Sequence, residues 1–65
     1  MRRNELIKRL RQTAKIKGLG LEEVRDTGPH TIFRLGSYTF PVPRHREINE
    51  HTAQAIIRRA EQEKG

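Results

Sequence analysis

The chain has no cysteine among its 65 residues. That excludes a disulfide framework and thiolate chemistry, and it fits a reducing cytoplasm. No apolar run approaches the roughly 20 residues that a membrane span needs, so no membrane is expected as a partner. The charged opening Met1-Arg2-Arg3-Asn4-Glu5 lacks the apolar centre of a secretory signal. Internal repeats, linkers and low-complexity tracts are missing as well. Acidic side chains are scarce: eight Asp and Glu stand against fourteen Lys and Arg, for a net charge of +6. Such an excess draws phosphate polyanions through counterion release, whatever their base sequence. An acidic protein partner can use the same charge. Apolar residues reach only 32%, and a chain this short buries roughly 60% of the surface its unfolded form exposes. One small domain, residues 1–65, is expected.

What is present is regularly spaced. A first helix is expected to begin near Asn4, a good capping residue with Glu5 directly after it. Ile7, Leu10 and Ala14 fall at i, i+3 and i+7, with Leu6 beside them, while Lys8, Arg11, Gln12 and Lys15 cover the other side. Gly18 and Gly20 end the helix. Leu21 to Asp26 reads as a short strand and Thr27-Gly28-Pro29 as a turn. His30 to Leu35 and Tyr38 to Val42 then flank a two-residue Gly36-Ser37 loop of type II′ character.

Counting back from that loop pairs Leu35 with Tyr38, Phe33 with Phe40 and Thr31 with Val42 on one face. The other face pairs Arg34 with Thr39, Ile32 with Pro41 and His30 with Pro43. Pro41 and Pro43 then occupy non-hydrogen-bonded positions, which suits an edge strand. Asn49 caps a second helix, with Glu50 in its first turn and a stripe of Ala53, Ile56, Ile57 and Ala60. The tail from Glu61 to Gly65 is expected to fray. The predicted architecture is α+β, in the order α-β-β-β-α. Two helices lie on one face of a three-stranded antiparallel sheet, the arrangement of double-stranded RNA-binding domains.

Gly28-Pro29-His30-Thr31-Ile32-Phe33 is the stretch that carries chemistry, because it sets a titratable imidazole where a turn becomes a strand. With Glu5-Leu6-Ile7-Lys8, Val42-Pro43-Arg44-His45 and the Thr52, Ile56, Ile57 set, it resembles the HicA family of bacterial toxins. These are small messenger-RNA-cleaving proteins paired with an antitoxin called HicB. The resemblance runs over nearly the whole chain. Two positions depart from it: Pro29 stands where the family usually has serine, and Thr27 where it commonly has a basic residue.

The resemblance implies a metal-independent endoribonuclease toxin, with no cofactor, whose partners are messenger RNA and a HicB-like antitoxin. It makes His30 the catalytic residue. An imidazole with a reference pKa near 6.5 can accept or donate a proton at neutral pH. Arg34, Arg44 and Arg46 are the candidates to hold a phosphate, and Lys8 and Arg11 belong to a basic stripe that tracks the RNA backbone or meets the antitoxin. His45 and His51 read as structural and surface residues. No metal site is expected, since no histidine pair has the i, i+4 spacing of a helical zinc site. Phe33, Tyr38 and Phe40 read as core rather than as base-stacking platforms. Two other readings stay open. One is a non-catalytic double-stranded RNA-binding module, which normally wants lysines where this chain has Asn49-Glu50-His51-Thr52. The other is an inactive, toxin-like interaction domain.

Overall fold

A computed structural model describes residues 1–63. Helix α1 (Arg3–Lys17) is followed by strands β1 (Leu21–Asp26), β2 (His30–Leu35) and β3 (Tyr38–Pro43), and helix α2 (Glu50–Gln62) closes the order. The strands form one antiparallel sheet in the order β1-β2-β3. This is the expected α-β-β-β-α fold.

The hairpin explains most of it. Gly36 takes φ 62° while no non-glycine residue among those described has a positive φ, as a II′ turn with glycine in first place requires. From that turn the pairing runs Leu35–Tyr38, Arg34–Thr39, Phe33–Phe40, Ile32–Pro41, Thr31–Val42 and His30–Pro43, the expected register. Because side chains alternate across a sheet, Thr31, Phe33, Leu35, Phe40 and Val42 all fall on one face. All five are buried there. Phe33, Leu35, Phe40 and Val42 pack with Leu6, Leu10 and Ala14 of α1 and with Ala53, Ile56, Ile57 and Ala60 of α2, a single core to which Ile48 also belongs. Phe33 and Phe40 stack with ring centroids 6.2 Å apart, and Tyr38 stacks on Phe40 at 4.6 Å with the Arg59 guanidinium over its outer side. Phe33 and Phe40 are therefore core, and Tyr38 packs half-buried against it. β3 is an edge strand, and its prolines present no donor that a further strand could use.

Three expectations need correction. The first helix starts at Arg3, with Arg2 rather than Asn4 in the capping position and no side-chain cap. Residues 1–3 instead pair antiparallel with residues 46–48: Ile48 N–H donates to Met1 O at 2.7 Å and Arg3 N–H to Arg46 O at 2.9 Å. That long-range pairing does the anchoring expected of a local cap. The apolar stripe of α1 is Leu6, Leu10 and Ala14, with Ile7 only half-buried at its flank. The second helix does not fray at Glu61, since Glu61 and Gln62 remain helical; Lys64 and Gly65 lie outside the described residues. Asn49 caps α2 as expected, its side chain accepting from His51 N–H at 2.8 Å.

Candidate active site

The turn before β2 is held from both sides. Asp26 Oδ1 accepts the Gly28 N–H at 2.9 Å, closing an Asx turn. Gly28 takes φ 95°, where a β-carbon would meet nothing within 4 Å yet would still be strained by the backbone itself. Thr27 then donates twice to the His30 carbonyl, from its N–H at 2.9 Å and from Oγ1 at 3.1 Å. On the other side Arg44 N–H donates to the Pro29 carbonyl at 3.2 Å. Residues 29 and 44 are the next hydrogen-bonded pair of the β2–β3 ladder, where two bonds are normally exchanged. Pro29 has no N–H, so only one forms. Proline at position 29 thus costs one rung beside His30, while the turn itself is kept.

His30 faces outward. Its neighbour Thr31 is buried under the helices, so alternation turns the imidazole to the uncovered face of the sheet. There it is half-buried, and among the described residues no hydrogen bond engages either ring nitrogen. The backbone of His30 is fixed while its ring is free to meet a ligand.

The cations around it divide by face. Arg34 shares the outer face with His30 but stands four residues along β2, roughly 13 Å away at strand spacing. It is paired there with Glu22. Arg25 is nearer. It pairs with Ile32, which makes it the diagonal neighbour of His30 on the same face, at the roughly 7–8 Å spacing that long side chains bridge. Arg25 is exposed and has no ion pair among the described residues. A bulge at Val24 precedes it and shifts the β1 register, so Glu23 lands opposite Phe33 and Glu22 opposite Arg34. Sequence reasoning missed Arg25 because Leu-Glu-Glu-Val-Arg-Asp has no alternation from which to read a face. The signal that finds it is its position one residue before the Asp that closes the turn.

Arg44 stands on the other side. The ladder places it on the face of Thr31 and Asp26, and its guanidinium is hydrogen-bonded to Asp26 Oδ2. The Gly28 amide and then the Arg44 guanidinium hold the Asp26 carboxyl below its ordinary value, with partial loss of solvent working the other way and Arg3 adding a smaller push down. Arg3 reaches the same region from α1, donating Nε–H to the Pro43 carbonyl at 3.1 Å and Nη2–H to Thr31 Oγ1 at 2.9 Å. Arg2, Arg3, Asn4, Arg44 and Arg46 line a cleft of about 440 Å³ beside the end of β3. Lys8 and Arg11 are exposed on α1, at i+4 and i+7 from Asn4 and so on its side of the helix. His45 and His51 are exposed too, and no group of three or more His, Asp and Glu among the described residues is arranged to hold a metal.

A family model described as the HicA toxin of bacterial toxin–antitoxin matches residues 4–62. The chain belongs to the HicA toxin family. As a HicA protein it is the toxin member of a toxin–antitoxin pair, and HicA toxins partner with HicB antitoxins. The match spans α1 from its second residue, the whole sheet with its His30 turn, and α2 to its last residue. No curated protein and no solved structure matches the chain. No helix among the described residues is long and apolar enough to cross a membrane.

Proposed function

We propose that this HicA chain is a metal-independent endoribonuclease that cleaves messenger RNA, with His30 as its catalytic residue. The observation that carries the reading is the placement of His30. It combines a backbone pinned by two bonds from Thr27 with an outward ring whose nitrogens are unengaged among the described residues. As base, the imidazole takes the proton of a ribose 2′-hydroxyl, and that oxygen attacks the adjacent phosphorus. As acid, it delivers a proton to the departing 5′-oxygen. The products are a 2′,3′-cyclic phosphate and a 5′-hydroxyl. One ring holds only one protonation state at a time, so water serves for the other half of the transfer. Charge gathering on the phosphorus oxygens calls for a cation on the same face. Arg25 stands diagonally beside His30, and Arg34 lies further along the strand. Arg44 and Arg46, at the exit of β3, and Lys8 and Arg11, along α1, serve substrate binding.

General acid–base catalysis by one side chain contributes about 10²–10⁴-fold. His30→Ala is therefore expected to lose cleavage by about that factor and to relieve growth arrest on expression. Because no hydrogen bond of the described residues depends on the ring, its thermal unfolding is expected to match that of the parent. The digest is run with and without a chelator. A folded His30→Ala protein that cuts RNA at the parent's rate would falsify the assignment, and loss of parental activity in chelator would remove the metal-free claim.

A further inference from the structure

Four arginines line one cleft with Asn4, and among the described residues no carboxylate lines it. Two of the four are balanced from outside, Arg2 by Glu47 at 3.8 Å and Arg44 by Asp26. Arg3 and Arg46 have no ion pair among the described residues. Arg3 is also rigid, since its two bonds to Pro43 O and Thr31 Oγ1 fix the guanidinium and leave Nη1 and one Nη2 hydrogen unspent. Its own N–H is bonded to Arg46 O, which ties the two residues together. Like charges held this closely repel one another. Phosphate oxygens relieve that repulsion, and guanidinium forks match them in bidentate pairs.

The cleft and His30 lie on opposite sides of the sheet, so the phosphate reacting at His30 is not the one the cleft holds. They are nonetheless adjacent around the free edge of β3. Pro43, whose carbonyl Arg3 grips, is the β3 partner of His30. A strand passing round that edge meets both. Such a path needs a flexible single strand rather than a duplex.

We infer that the cleft is a phosphate-binding subsite for single-stranded RNA. It grips a backbone phosphodiester flanking the one cleaved at His30, with Arg3 and Arg46 as its forks and Lys8 and Arg11 continuing the path. The choice of RNA as ligand rests on the ribonuclease reading.

The test measures binding apart from cleavage. A fluorescently labelled 2′-O-methyl RNA strand cannot attack its own phosphates, and its affinity is followed by anisotropy across a salt series. Arg46→Gln removes a side chain without hydrogen bonds among the described residues, so the fold is kept, and thermal unfolding verifies this. Its slope of log K against log salt is expected to flatten by about 0.7, the single-strand value for one lost phosphate contact. Arg58→Gln, the same charge change on the exposed side of α2, is expected to leave the slope as in the parent. Equal flattening by both variants would mean a diffuse field and no subsite. Unchanged RNA binding by Arg46→Gln, with weakened binding of an acidic antitoxin, would assign the cleft to the protein partner instead. If His30→Ala still cuts while Arg46→Gln flattens the slope, the catalytic assignment fails and the subsite stands. If His30→Ala is dead and Arg46→Gln binds as the parent does, the subsite fails and the nuclease stands.

Discussion

At the scale of single residues, the Asp26 side chain touches both halves of the site. Its carboxylate accepts from the Gly28 amide, which shapes the turn before His30, and from the guanidinium of Arg44 at the exit of β3. Both favour the charged form, so the folded pKa lies below the ordinary 3.8. A carboxylate with a depressed folded pKa adds stability above its unfolded value, and that contribution disappears as pH falls through the folded value. Asp26→Asn keeps an oxygen for the Gly28 amide and loses the charge. The variant is thus expected to be less stable than the parent at neutral pH. The gap should begin to close as pH drops below the ordinary 3.8 and vanish only once pH has fallen past the lower folded value, where the parent's carboxylate is protonated too. Urea midpoints of the two proteins across that range test it. A gap that persists unchanged into strong acid would mean that the charge of Asp26 contributes nothing.

At the scale of elements, what was legible in the chain was local and what was not depended on distant partners. Gly36-Ser37 fixes the hairpin, and the alternation of Thr31, Phe33 and Leu35 fixes its buried face, so register, edge and core followed from one short stretch. The outward direction of His30 follows from that same alternation. So does the opposite direction of Arg44, one residue beyond the β3 partner of His30. The start of α1 was not legible, because residues 46–48 do for Arg2 and Arg3 what a capping side chain does elsewhere. β1 gave its extent but not its faces, since the bulge at Val24 breaks any alternation between Glu23 and Arg25. The two asparagines make this contrast measurable. Asn49→Ala deletes the acceptor for His51 N–H and is expected to cost about 1 kcal/mol. Asn4→Ala, inside α1 and not at its cap, is expected to cost nothing or to help slightly, since alanine is the better helix former. Equal losses for the two in denaturant titrations would contradict the capping assignment.

At the scale of the whole molecule, a small core supports a large charge imbalance. At the usual 0.05–0.15 kcal/mol per residue, a domain of this length is stable by roughly 3–10 kcal/mol. Leu10 is fully buried at the centre of α1, within the core that joins both helices and the sheet. Truncating such a leucine costs about 2–5 kcal/mol, a large share of that total. A partner that binds only the folded form returns about 2.7 kcal/mol when present at a hundredfold excess over its Kd. Leu10→Ala is therefore expected to be partly unfolded alone, with a lowered unfolding temperature. Saturation with its HicB antitoxin should recover much of the loss. The cleft and the His30 face lie outside the core, so RNA binding per folded molecule should be that of the parent. Calorimetry of the variant with and without antitoxin, beside anisotropy corrected for the folded fraction, checks both halves. If the free variant unfolds at the parent's temperature, Leu10 is not the keystone of this core. If it loses RNA affinity even when fully folded, the basic surface depends on core packing more closely than the separation of cleft and core implies.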